Sequence, residues 1–496
     1  MIEWLPWSAE AFARASREGK PVLLSITAAW CRACHEMDRT TYADPAVATL
    51  VGERFVPVRV DTDRRPDINE RYNLGGWPTT AFLTAGGRLI TGGTFVAADR
   101  MPGVLARVAE AFAARAAEWA AEDAGGVVKE DLATEYTEHT DEGRDLATEY
   151  TEHTDEGRDL AAEYTEHADQ AGAASAESVA VEAVFSSFDE EYGGFGVEPK
   201  FPHAAPVQLA LALFGETGEP RWREIAERTL DGMWNGGLWD REAGGFSRYA
   251  ATRDWQLPHV EKLLDTNAAL LALYADASAT LGRSADRDRA AAIARFITGP
   301  LRDPAGGYYG SDADRVLYAD ANAAAASALL KTASVLGDAA LVREALASFE
   351  RVLLGCYRPG AGVAHDAGGD AVRGLLGDQV GAIGALLDAH DVTGGEPYQM
   401  MAEEIGHALV RELWDEASGG FFDRPSRDDD IGLLRSRRKP FHGNADAAVV
   451  LSRLQRVSRE FDFSRHARGA LGAASRQAAR QGPLAAVFVL AARQVG

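Results

Sequence analysis

The chain of 496 residues has few cysteines, few lysines and no long apolar run. Three cysteines, Cys31, Cys34 and Cys356, are too few to staple a chain of this length, which excludes a disulfide-framework fold. No stretch approaches ~18 consecutive apolar residues, so no membrane-spanning helix is expected. Met1 to Phe12 lacks a basic segment followed by an apolar run, so no signal peptide is expected and a cytoplasmic location is the default. Lysine occurs six times against 45 arginines, and the formal net charge is −24. A surface of that sign repels phosphate backbones and anionic lipid, so neither nucleic acid nor membrane is an expected partner. A halophile carries such an acidic surface, and a GC-rich genome favours Arg over Lys. The acidic excess favours the first reading.

What is present is globular: 46% hydrophobic and 25% charged residues, enough for two or three domains. Residues 1–120 alternate helix and strand. Ser8 to Glu18 reads as a helix with Ser8 as its N-cap. Pro21 to Thr27 is a buried strand, and Cys31 to Leu50 is helical with a break near Tyr42–Pro45. Further strands are expected at Phe55–Val60, Thr79–Thr84 and Arg88–Thr91, with helices at Arg65–Tyr72 and Asp99–Ala117. Residues 121–172 differ in kind. DLATEYTEHTDEGR occurs at 131–144 and again at 145–158, and a degenerate copy follows at 159–170. His139, His153 and His167 recur with it and suggest metal binding. A tandem duplication in an acidic, solvated linker accounts for them, because nothing apolar would pack the segment.

Residues 173–496 read as about twelve helices. Their connections repeat an Asp, then Gly-Gly and an aromatic: Asp189 to Phe195, Asp240 to Phe246, Asp303 to Tyr308 and Asp415 to Phe421. Tyr357 to Ala364 stands where another copy would fall. A period of roughly 50–60 residues means stacked helical hairpins, and six of them close into an all-α (α/α)6 barrel around a central cavity. Glycine permits the tight turn, Asp caps it and the aromatic packs beneath.

The chemistry-bearing motif is Trp30-Cys31-Arg32-Ala33-Cys34, between a strand and a helix. A thiolate at a helix N-terminus meets partial positive charge and unpaired N–H groups, which lower its pKa. Cys31 is the expected exposed nucleophile, and Cys34, one turn in, resolves the mixed disulfide. Arg32 adds positive charge. Gly75-Gly76-Trp77-Pro78-Thr79 precedes the third strand, where thioredoxin folds carry a cis-proline facing the cysteines, so Pro78 is expected to be cis. Cys31 to His35 also fits a haem c attachment pattern, but no export signal or haem pocket accompanies it. A zinc site needs two more ligands. A merely structural pair is the remaining alternative.

These residues resemble the DUF255 proteins, the spermatogenesis-associated thioredoxin-domain family. The resemblance rests on Trp4-x-x-Trp7, Lys20-Pro21, Cys31-x-x-Cys34-His35-x-Met37, Val60-Asp61, Arg65-Pro66-Asp67, Gly76-Trp77-Pro78 and Gly92-Gly93-Thr94-Phe95. In the second half it rests on Gly193-Gly194-Phe195-Gly196, Pro199-Lys200-Phe201-Pro202, Arg248-Tyr249 and Trp255-x-x-Pro258-His259-x-Glu261-Lys262-Leu263 through Asn267-Ala268, with a weaker echo at Asp312-Ala313-Asp314. The family implies an α/β thioredoxin-like domain at 1–120 and a six-hairpin glycosidase-like barrel at 173–496, and the resemblance skips the linker at 121–172. It usually has CHWC where this chain has CRAC, and the loops around 310–318 and 423–442 are short for it.

The barrel then has candidate residues for acid–base work. His259, Glu261 and Lys262 follow Pro258 at the expected start of an inner helix, where His259 and Lys262 share a face, as do Glu261 and Asp265. Glycosidases need two carboxylates ~5–9.5 Å apart, so Glu261, Asp265, Asp240, Asp320 and Asp378 are candidates. Sugar epimerases on such barrels use histidines, which adds His203, His259 and His442. A helix-start brace is the alternative for His259, Glu261 and Lys262. Expected partners are a protein thiol or disulfide client or a reductase, and a carbohydrate in the barrel. No cofactor and no metal are expected. The activities that follow are thiol–disulfide exchange, a carbohydrate hydrolase or isomerase, or non-catalytic binding.

Overall fold

Ser8 begins the first helix as its side chain predicts, accepting a hydrogen bond from the Ala11 N–H at 3.3 Å. Helix α1 (Ala9–Glu18) ends at Gly19, whose φ of 61° lies in the left-handed region. The computed structural model describes residues 1–124, 173–368, 371–458 and 461–495. The repeated histidines, and with them the metal reading, lie outside the described residues.

Strand β1 (Val22–Thr27) is the apolar run, and it sits second in a four-stranded sheet. It pairs parallel to β2 (Val56–Asp61) and antiparallel to β3 (Thr79–Leu83), which pairs antiparallel to β4 (Leu89–Gly93). Alternate side chains of β1 enter opposite cores: Val22, Leu24 and Ile26 join Phe12, Val58 and Ile68, while Leu23 joins Met37, Val51 and Phe82. Helix α2 (Arg32–Thr40) stops before α3 (Pro45–Arg54), because Asp44 caps the second helix through the Ala46 and Val47 N–H groups and Pro45 opens it. Helices α4 (Pro66–Tyr72), α5 (Met101–Ala114) and α6 (Ala116–Ala124) complete the N-terminal part. This is the expected thioredoxin-like α/β arrangement.

One segment from far along the chain belongs to the same unit. The barrel was expected to take all of residues 173–496, but Ser426–Arg437 packs with the N-terminal residues. Leu434 is buried in the core shared by Phe12 and Tyr72. Arg71 donates from Nε to the Leu433 carbonyl at 3.0 Å and from a terminal nitrogen to the Ser436 carbonyl at 2.8 Å. The Tyr72 hydroxyl donates to the Gly87 carbonyl at 2.6 Å and accepts from the Leu433 N–H at 2.9 Å.

The second unit is a ring of helical hairpins. Its inner helices are Ala204–Thr217, Leu264–Leu281, Ala319–Leu336, Leu376–Thr393, Phe441–Val457 and Ala486–Val495. Each packs on the next, and the last returns to the first. Outer helices Ala173–Ser186, Pro220–Asn235, Ser284–Thr298, Ala339–Cys356, Glu396–Leu413 and Ser464–Ala478 surround them. This is the (α/α)6 barrel. Among the described residues no helix is long and apolar enough to cross a membrane.

The Gly-Gly loops are scaffold. Asp240 Oδ1 accepts from the Glu242 and Ala243 N–H groups at 2.9 Å each, and Trp239 bridges to Phe246. At Gly245, with φ of 85°, an added Cβ would meet the Phe296 ring within 2.7 Å. An amide on the fourth residue of the next inner helix then grips the aromatic's backbone. Asn267 accepts from Phe246 N–H at 2.8 Å and donates to its carbonyl at 3.0 Å. Asn322 does the same for Tyr308 at 2.7 and 2.9 Å, and Asn444 for Phe421 at 2.7 and 3.0 Å. Gln379 holds Val363 at 2.8 and 2.9 Å. Three of the six lysines brace the same loops: Lys200–Asp189 at 2.6 Å, Lys262–Asp240 at 2.7 Å and Lys439–Asp415 at 2.6 Å. Lys200 is fully buried, and Arg253 adds a second cation on Asp189 at 2.8 Å. Against the cost of burial, the Arg253 and Lys200 hydrogen bonds hold the Asp189 carboxyl well below the usual range.

Candidate functional site

In the N-terminal unit, β1 delivers Cys31 to the N-cap of α2. Its sulfur accepts the Cys34 N–H at 3.1 Å, and the two cysteines are disulfide-bonded with Cα atoms 5.2 Å apart. An amide aimed at this sulfur is the local dipole that favours a thiolate there. Cys31 was expected to be exposed. It is 5% exposed, and Cys34 is 2% exposed. Next to the pair in sequence, Trp30 sits edge-on to Trp77 at 5.6 Å, and its N–H donates to Asp63 at 2.6 Å. Trp77 in turn donates to Asn69 at 3.1 Å. The Trp77–Pro78 bond is cis, as expected. Antiparallel pairing of Ile26 with Thr79 sets the start of β3 beside the end of β1, so Pro78 lies at the sheet end that carries Cys31. His35 is exposed, and its Nε2 lies 2.8 Å from the Ala29 carbonyl. Cys356 is buried and free, and desolvation pushes its thiol up to about 12, which leaves it unreactive.

In the barrel, the small residues Ala205, Ala324, Gly377, Gly381 and Gly384 on the inner helices leave an axial cavity of about 570 Å³. Asp265, Asp320 and Asp446 line it. Desolvation by the surrounding wall pushes Asp446 up to about 6 and raises Asp265. Asp378, third residue of its inner helix, lies behind the wall. It is 1% exposed, and its Oδ1 is 2.9 Å from Nδ1 of His365. That nitrogen is 4.0 Å from Oδ1 of Asp320, which is 44% exposed. Burial pushes Asp378 up to about 6, against the pull of His365. An imidazole held between a buried and a cavity-facing carboxylate has the parts for proton transfer or for cation ligation.

Of the nine barrel candidates, the cavity takes Asp265 and Asp320, and Asp378 stands just behind. Asp240 and Lys262 pair with each other in a loop, where the Lys262 hydrogen bond and the loop N–H groups hold Asp240 down at about 2. His259 and Glu261 are not on a helix. Pro258–His259 is a short strand against Tyr249–Ala250, and the Arg248 N–H is shared by the His259 and Glu261 carbonyls at 3.2 and 2.9 Å. The inner helix begins only at Leu264, so the expected shared faces of His259 with Lys262 and of Glu261 with Asp265 do not exist. His259 instead stacks on Tyr249 at 4.1 Å, and Tyr249 lies tilted against Phe201 at 4.8 Å. His203 and His442 lie near each other; burial lowers both, and the charge of His442 lowers His203 further. His365 was missed by sequence reasoning. Its one signal was position, just after the Tyr357 to Ala364 loop and before Gln379.

Residues 1–130 match the family model described as a protein of unknown function, DUF255. Spermatogenesis-associated protein 20 of Mus musculus is 29% identical over 333 residues, 63% of this chain and 39% of that protein. The matched stretch therefore spans about two fifths of that relative's length. The thiol:disulfide interchange protein DsbD of Ralstonia nicotianae is 37% identical over 81 residues, 16% of this chain and 13% of that protein. Among solved structures, a sugar epimerase from a ruminal bacterium aligns with a TM-score of 0.51 at 14% identity, covering 60% of this chain and 85% of that one. At that identity the likeness is one of fold, and it is the barrel's. Residues 1–130 thus match the DUF255 model as a thioredoxin-like, DsbD-related N-terminal domain, and the helical barrel that follows has the fold seen in sugar epimerases and glycosidases.

Proposed function

We propose that the protein is a thiol–disulfide oxidoreductase working through Cys31 and Cys34. The observation that carries this reading is the disulfide at the start of α2, with the Cys34 N–H on the Cys31 sulfur. In the reduced protein the Cys31 thiolate attacks a client disulfide, and the client's second sulfur leaves as a thiolate. The Cys34 thiolate then attacks the Cys31 sulfur, releasing the reduced client and closing the Cys31–Cys34 bond. An external dithiol takes the pair back to the thiol form, so two electrons pass from that donor to the client. The helix-terminal amides stabilise the Cys31 thiolate both as nucleophile and as leaving group. Pro78 borders the site as the element against which a client's extended chain lies. The protein partners are therefore a disulfide-bearing client and a thiol reductant.

Insulin reduction driven by dithiothreitol tests this. The parent chain is expected to precipitate the insulin B chain, and Cys31→Ser is expected to lose the activity. An unchanged rate in Cys31→Ser overturns the assignment.

A second reading concerns the barrel. A cavity of about 570 Å³ with carboxylates and two glutamines among small and aliphatic residues suits a polyhydroxylated ligand, and Asp265, Asp320 and Asp446 would hydrogen-bond its hydroxyls. Thermal shift against a panel of mono- and disaccharides tests it. A ligand at 100 times its Kd stabilises by ~2.7 kcal/mol. A shift that disappears in Asp320→Asn supports a carbohydrate site, and no shift with any sugar removes it.

A further inference from the structure

His365, Asp320 and Asp378 come from three separate elements, and main-chain hydrogen bonds fix each relative to the others. The Ala319 N–H donates to the His365 carbonyl at 2.8 Å, which ties the histidine to the helix whose second residue is Asp320. Gln379 clamps Val363, two residues before His365, onto the helix whose third residue is Asp378. The His365 N–H donates to the Val372 carbonyl at 2.8 Å, which closes the loop around it. One nitrogen and two carboxylate oxygens of these residues then lie within 4.8 Å of one another.

A second, independent feature points to a ligand. Asp378 is 1% exposed, and its Oδ2 has no hydrogen-bond partner among the described residues. A buried carboxylate oxygen without a partner is costly, and a bound cation is one of the few groups that satisfies it. Asp320 faces the cavity, so anything bound among the three residues is reachable from it.

We propose that Asp320, His365 and Asp378 bind one first-row divalent cation. The donor set decides the class. One imidazole and two carboxylates suit Mn²⁺, Fe²⁺ or Zn²⁺ better than the all-oxygen cages that Ca²⁺ takes. The cation displaces the hydrogen bond between His365 Nδ1 and Asp378, and it takes up the orphaned Oδ2. Three protein ligands leave coordination positions open on the Asp320 side, where water or the oxygens of a cavity ligand would complete the sphere. This site is independent of the thiol chemistry at Cys31 and Cys34.

The test uses the full chain, freed of metal with a chelator and titrated with Mn²⁺ in high salt to screen surface acids. Loss of the free-ion electron paramagnetic resonance signal reads binding. One Mn²⁺ per chain is expected. His365→Gln and Asp378→Asn are each expected to weaken it at least about tenfold, while the surface variant Asp288→Asn binds as the parent does. Melting curves check that the variants fold, and if Asp378→Asn does not, Asp320→Asn and His365→Gln decide. Absence of stoichiometric binding overturns the site, as does binding that survives His365→Gln and Asp320→Asn unchanged.

Discussion

Cys31 and Asp446 are each placed where a single ionisation matters. For Cys31 the motif and its strand-to-helix setting were legible in the sequence, as was the cis-proline beside it. Its low exposure was not, because the burial of that side chain is settled only once helix and sheet have packed. Asp446 could not be singled out from sequence at all, since its environment is made by neighbouring inner helices. An acid whose folded pKa lies above its unfolded value holds its proton more tightly in the folded chain. Ionising Asp446 therefore lowers stability as pH rises from its ordinary 3.8 to about 6. Asp446→Asn is expected to melt above the parent at pH greater than about 7 and level with it below about pH 3. Circular dichroism melts at both pH values check this. A shift of the same size at both would show that the carboxylate is not desolvated. Retaining such an acid at a cost to the fold fits a wall that serves a ligand.

At the scale of the element, the unit that repeats is a loop plus the first turn of the next inner helix. The Gly-Gly-aromatic half was legible, including the reading of glycine as turn and Asp as cap. The amide half was not singled out, although Asn267, Asn322, Gln379 and Asn444 all stand fourth in their helices. That phase, once noticed, marks the degenerate loop of Tyr357 to Ala364 as a fifth copy and leads to His365 just after it. Each amide satisfies one buried N–H and one buried carbonyl of its loop. Asn267→Ala strands both on Phe246 and is expected to lower unfolding free energy by roughly 3 kcal/mol, read by urea denaturation. A loss below about 1 kcal/mol would mean that water replaces the clamp. The misplaced start of the helix carrying Asp265 has the same origin. Pro258 suits a first helical turn, yet the Arg248 N–H claims the carbonyls that follow it for a hairpin.

At the scale of the molecule, two domains in chain order were legible from the switch between alternating and all-helical patterning. What composition could not reveal is that Ser426–Arg437 serves the N-terminal unit, because its partners Arg71 and Tyr72 lie more than 350 positions away in sequence. Replacing this segment by glycine and serine removes the buried Leu434 side chain and loosens the main chain that presents two carbonyls to Arg71. Faster amide exchange is then expected at Pro66–Tyr72, with the barrel helices unchanged. Equal exchange throughout would show the segment to be dispensable. The arrangement also sets what a protease can accomplish. An engineered cleavage site placed between residues 124 and 173 severs the backbone once, yet the shorter product remains bound by a stretch that its own half does not encode. Nicked protein should co-elute on gel filtration as one species until denaturant parts the two pieces.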